Sequence, residues 1–184
     1  MNTQEKAKER VFKTVKEKDI KLISLWFTDI LGFLKSLDIA PRELETALTD
    51  GMGFDGSSVE GFARIDESDM MAIPDPTTFQ ILPWSKSEYP VARMFCDIQK
   101  TNGQPFEGDP RYVLKRNIKK ASDLGYTFNI GPELEYFYFK NPSKPYPLDE
   151  GGYFDLTPTD AASELRLETV LLLEKMGVII DTSH

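Results

Sequence analysis

Glu133 and Glu135 stand two apart in the run Gly131-Pro132-Glu133-Leu134-Glu135. The run lies within residues 126–139, which are rich in aromatic and β-branched types and read as a strand. On a strand, side chains alternate faces, so these two acids point the same way with Cα atoms roughly 6–7 Å apart. Like charges held side by side disfavour each other's ionisation. A divalent metal, a nearby cation or open water would relieve that, and the spacing leaves all three open.

A second stretch carries polar chemistry. Residues 51–64 hold Gly51, Gly53, Gly56 and Gly61 among Asp55, Ser57, Ser58 and Glu60. So many glycines read as a surface loop rather than helix or sheet. The plainer reading is a solvated connection; the other is a loop whose glycines and serines cradle an anion. No Walker lysine follows, which excludes a P-loop.

The elements around these stretches set the frame. Residues 2–18 form a charged amphipathic helix with Val11, Phe12 and Val15 on its apolar stripe. Residues 20–28 and 33–39 read as strands joined by a turn at 29–32, a β-hairpin. Pro41 suits the first position of a helix over 42–50, and Gly51 its stop. Short strands follow at 70–73, 79–82 and 91–97, with a turn at Pro83-Trp84. About five strands with a helix laid across them suggest a mixed sheet of the β-grasp kind. The polar stretch 100–108 places a domain boundary between 104 and 105.

Beyond it, Asp109-Pro110 starts a helix that Gly125 ends, with Asp as N-cap and Pro at the first turn. The carboxylate-bearing strand comes next, then a loop over 141–152. A helix over 157–176 opens with Thr157-Pro158-Thr159-Asp160, spaced like a capping box. A strand begins at 178–180. The expected fold class is α+β: a β-grasp domain over 1–104, then the start of a second α+β domain over 105–184. Two helices, one long strand and one half-made strand cannot cover an apolar sheet face. The chain is therefore expected to be the front portion of a longer protein, or to be completed by a partner.

Composition narrows the function. The net charge is −8 over 184 residues, which argues against nucleic acid as a partner. One cysteine, Cys96, rules out an intrachain disulfide framework and fits a reducing cytoplasm, with a small buried side chain as its plain role. No apolar run approaches a membrane span, and the polar N-terminus lacks a signal-peptide core. A cytoplasmic location with no membrane partner is the expectation.

Four motifs in order carry a resemblance: Asp55-Gly56-Ser57-Ser58, Glu67-Ser68-Asp69-Met70, Gly131-Pro132-Glu133-Leu134-Glu135 and Gly151-Gly152-Tyr153-Phe154. Their order and spacing resemble type I glutamine synthetases, over essentially the whole chain but under half of such an enzyme. The resemblance implies a β-grasp domain followed by the beginning of the catalytic domain. It implies a ligase that uses ATP to phosphorylate the glutamate γ-carboxylate, after which ammonia attacks γ-glutamyl phosphate. It also implies two divalent metals, magnesium or manganese, and an assembly of identical subunits in two stacked rings of six.

Roles follow position by position. Glu133 matches a ligand of the metal on the nucleotide side, and Glu135 a ligand of the metal on the glutamate side. Asp55 matches the aspartate that binds ammonium and helps deprotonate it; Ser58 and Tyr153 match residues near that pocket. Asp181 falls where some relatives have a glutamate near the nucleotide. Arg64 falls where one branch of the family also has arginine, and a surface ion pair is its plainer role. His184 matches a histidine just before the remaining ligands and is read as a bystander. The family's other metal ligands and its glutamate-binding arginines have no counterpart within these residues, so the chain alone is expected to be inactive. Two alternatives stand beside the ligase: a relative that joins glutamate to an amine, and a short non-catalytic module that co-assembles with full-length subunits. The Asp55 loop favours ammonia, since a cation-binding aspartate suits ammonium.

Overall fold

A computed structural model describes residues 3–59, 69–85, 88–156 and 158–184. The chain packs as two compact units, residues 1–128 and 129–184.

The first unit is built on a mixed sheet in the order β2-β1-β6-β4-β3, with β5 beside β6. Its strands are β1 (Leu22–Thr28), β2 (Leu34–Ile39), β3 (Met52–Asp55), β4 (Asp69–Pro74), β5 (Gln80–Ile81) and β6 (Val91–Lys100). The helices are α1 (Thr3–Glu17), α2 (Leu44–Thr49) and α3 (Pro110–Asp123). β6 is the central strand. Its first half runs parallel to β1 and its second half antiparallel to β4. Alternate residues Ala92, Met94, Cys96 and Ile98 are buried, the period-2 pattern that lays one face on a core. Val11 and Val15 of α1 and Leu44, Ala47 and Leu48 of α2 join those residues in one apolar cluster.

The β1–β2 hairpin forms as the sequence indicates. Buried Asp29 fixes its turn by accepting the Leu31 and Phe33 N–H groups, each at 2.9 Å, and pairing with Lys35 at 3.2 Å. Pro41 opens a 3₁₀ turn leading into α2. Gly51 then takes φ +83°, and a Cβ there would collide with the Ile73 side chain. Asp109 caps α3 by accepting the Arg111 N–H, and its other oxygen accepts the Ile98 N–H of β6 at 3.0 Å.

The loop expected over 51–64 begins instead as strand β3, paired in register with β4. Its glycines hide the pattern: Met52 and Phe54 turn partly inward against the core while Gly53 and Asp55 stay exposed. Glu60, Gly61, Arg64, Glu67 and Ser68 lie outside the described residues, as does Thr157. The sheet thus has six strands among the described residues rather than about five.

The second unit departs further from expectation. Residues 126–138 form no strand; only Phe139, the last residue of the expected run, enters one. A strand needs a ladder, and no described strand pairs with these residues, while Pro132 removes a donor. The loop expected over 141–152 contains half of a small hairpin, β7 (Phe139–Asn141) with β8 (Lys144–Pro147). The Asn141 side chain holds its turn by accepting the Ser143 and Lys144 N–H groups. All residues of that hairpin are exposed, so no burial pattern announced it. α4 runs from Ser163 to Lys175 rather than from 157. Asp160 supplies entry contacts, accepting the Ala162 N–H and pairing with Arg166 at 2.7 Å. No strand forms at 178–180, where Ile179 is 92% exposed and lacks a pairing partner.

Candidate functional site

Asp55 is the last residue of β3, where the chain leaves the sheet for a 3₁₀ turn over Gly56–Ser58. Its Oδ1 accepts the Ser57 N–H at 2.9 Å and the Ser57 hydroxyl at 2.6 Å, and its Oδ2 accepts the Ser58 hydroxyl at 3.2 Å. The Ser57 hydroxyl, then the Ser57 N–H, hold the carboxyl below its ordinary value of 3.8 against desolvation, with Ser58 adding a smaller lowering influence. Asp55 is thus an exposed, ionised carboxylate with a fixed orientation and unused lone pairs. Such a group can hold a small cation and accept a proton from it. Asp55 and Ser58, both singled out from sequence, are brought together. Ser57 was not, yet it makes the shortest contact; the Asp-x-Ser spacing of an Asx turn was the available signal.

The other residues belong to the second unit. Glu133 and Glu135 are exposed on the irregular segment, and neither forms an ion pair among the described residues. Without a strand, nothing in the backbone fixes their shared face. No group of three or more His, Cys, Asp or Glu gathers to hold a metal among the described residues. As donors the two carboxylates fit hard divalent cations, but each is only one of the six or more ligands such an ion takes.

Tyr153 is exposed and sits in an aromatic trio. Its ring centroid lies 4.2 Å from that of Phe154 and 4.9 Å from that of His184, and His184 lies 4.6 Å from Phe154. His184, read as a bystander, therefore packs beside a candidate residue thirty-one positions away, a contact that sequence spacing could not show. Phe154 takes φ +62°, an uncommon conformation for a bulky residue. The loop is tied by Asp149, which accepts the Gly151 and Ala161 N–H groups. Asp181 is exposed on a segment without regular structure. Cys96 is buried, and burial pushes its thiol up, so it is not a nucleophile.

A β-grasp sheet leading through α3 into a partial second α+β unit, with an aspartate-serine turn at the sheet edge, defines a class of protein. The glutamine synthetase β-grasp domain matches residues 19–101, and the glutamine synthetase catalytic domain matches residues 107–184. A glutamine synthetase of Mycolicibacterium smegmatis is 50% identical over 186 aligned residues, covering 98% of this chain and 42% of that protein. The Plasmodium falciparum glutamine synthetase structure shares the fold, with a TM-score of 0.75 over 96% of this chain and 41% of that one, at 18% identity. A structure of GmaS in complex with ADP is 29% identical, with a TM-score of 0.56 over 61% of this chain and 25% of that one. The chain belongs to the glutamine synthetase family, matching its β-grasp domain and the start of its catalytic domain. It spans about 42% of the length of that curated relative. No helix among the described residues is long and apolar enough to cross a membrane.

Proposed function

We propose that the chain is the front portion of an ATP-dependent ligase that condenses glutamate with ammonia through γ-glutamyl phosphate. The observation that carries this reading is the 50% identity with a glutamine synthetase along 98% of the chain. The Asp55 turn supports it, because an exposed carboxylate kept ionised by two serines is suited to ammonium.

In this reading Asp55 binds ammonium by charge and then accepts its proton, leaving neutral ammonia able to attack the acyl phosphate carbon. Ser57 and Ser58 orient the carboxylate. By the family resemblance alone, Tyr153 is assigned a role near ammonium and Asp181 one near the nucleotide. Glu133 and Glu135 would hold magnesium or manganese together with ligands supplied from elsewhere; when bound, such ions neutralise phosphate charge. The module boundary falls between residues 104 and 105, a placement supported by its lying in the gap between the two family matches, which end at 101 and begin at 107. The working form is an assembly of identical subunits in the cytoplasm.

Two assays test this. A coupled assay for ATP-dependent glutamine formation by the isolated chain is expected to show none, and clear turnover would refute its inactivity alone. Grafting residues 1–184 in place of the matching segment of the M. smegmatis enzyme tests the ligase. The graft is expected to use ammonium in preference to methylamine. A preference for methylamine would favour the amine-joining reading.

A further inference from the structure

α3 concentrates positive charge on an acidic protein. Arg111, Lys115, Arg116, Lys119 and Lys120 fall within it, against Asp123 alone, while the chain carries −8. Between α3 and β6, wholly within the first unit, lies a groove of about 400 Å³. Pro105 and Tyr112 give it apolar walls, and Lys115, Arg116 and Lys119 line its helical side. Two of these cations are already paired. Lys115 reaches both Asp97 oxygens, at 2.6 and 2.8 Å, and Lys119 reaches Asp123 at 2.8 Å. Arg116 forms no ion pair among the described residues; its guanidinium lies 5.7 Å from the Tyr112 ring centroid.

We propose that this groove binds a small organic anion carrying an apolar ring, with the ring against Tyr112 and Pro105 and the charge on Arg116. The volume is at the lower end of the ~300–1,000 Å³ typical of ligand pockets, which suits one ring and one charged group rather than a polymer. A guanidinium already placed beside an aromatic face offers both a fork for carboxylate or phosphate and an edge for a flat ring. The groove is not the helix face that awaits packing. At 3.6 residues per turn, positions 112, 116 and 119 share one side of α3, while the exposed apolar Leu114 and Ile118 lie on the far side.

The test is an amide-shift titration of the ¹⁵N-labelled 184-residue chain with phenyl phosphate, phenylacetate, benzyl alcohol and inorganic phosphate. Saturating shifts are expected at Gln99, Tyr112, Arg116 and Lys119 with at least one aromatic anion, and which one responds separates phosphate from carboxylate ligands. Binding should be at least tenfold weaker for benzyl alcohol, for inorganic phosphate and in R116Q. Arg116 and Lys119 are both exposed, so R116Q and K119Q leave the fold intact, and K119Q repeats the comparison at the second cation. Absence of saturating shifts at these amides, equal binding of benzyl alcohol or inorganic phosphate, or unchanged affinity in both variants would overturn the proposal. None of these results bears on the ligase reading, which uses other residues.

Discussion

At the scale of single residues, Asp55 can be separated from its own structural role. Asparagine keeps the side-chain oxygen that accepts the Ser57 N–H but removes the charge. In the grafted enzyme, D55N should assemble normally and lose roughly 10²–10⁴-fold in glutamine formation, the usual size of a general-base contribution. A D55N graft with unchanged turnover would remove Asp55 from the mechanism. Because the serines lower its pKa, Asp55 stays ionised, and so able to bind a cation, as pH falls through the ordinary carboxylate value of 3.8. The residue types of this turn were legible from sequence, but its geometry was not. Asp55 was placed in a loop because glycines mask alternation, and Ser57 was passed over because its bond to Asp55 depends on the local turn.

At the scale of elements, the joint between β6 and α3 depends on carboxylates with opposite pKa shifts. Burial, the largest influence on Asp109, pushes its carboxyl up despite three backbone donors, Ile98, Arg111 and Tyr112. For Asp75 burial also acts upward, but Thr77 and then Arg111 and Lys115 outweigh it and lower the value. The linkage signs are opposite. Asp75 stabilises fully above the ordinary carboxylate value, and that contribution is lost as pH falls through its lowered folded value. Asp109 stabilises below the ordinary value, and that contribution is lost as pH rises through its raised folded value. Acidification below about pH 4 should therefore weaken the first unit less steeply in D75A than in the parent, whereas D109A should lack the gain that Asp109 supplies as pH falls from its raised value towards about 4. Urea midpoints from pH 7 to pH 3 would show it, and parallel curves for all three would contradict it. At neutral pH, D109A should cost about 2–4 kcal/mol, from a lost N-cap and the orphaned Ile98 N–H.

Elements were legible where burial is periodic or capping is local. β6 alternates along its buried length, and Asp109-Pro110 and Gly125 bracket α3 as their types dictate. Prediction failed where no neighbour rewards the pattern. Residues 126–138 have strand-like composition but no ladder, and β7–β8 form by turn chemistry with nothing buried. Amides over 129–138 should thus exchange with solvent with little protection in the isolated chain, and at least a hundredfold more slowly in the graft, where strand partners are supplied. Strong protection in the isolated chain would contradict the exposed, unpaired segment.

At the scale of the whole molecule, the two units differ in how much they bury. The first has one continuous apolar cluster. In the second, Ala162 is the one buried residue described, while Leu134, Phe137 and Ile179 are each more than three-quarters exposed. A unit with so little buried surface has little to offset the entropy of ordering its chain. Brief trypsin treatment should cut the second unit first, at exposed Lys140, and leave a resistant first unit. Equal resistance of both units would contradict this. The central claim, that these residues serve as the front of a glutamate–ammonia ligase, is tested most directly by the steady-state rate of glutamine formation by the M. smegmatis enzyme carrying residues 1–184 in place of its own segment. A rate within about tenfold of the parent, lost in E133Q and in E135Q, is the expected result; such losses are typical when a group that acts in the transition state is removed. A correctly assembled graft that forms no glutamine, or one indifferent to both substitutions, would contradict it.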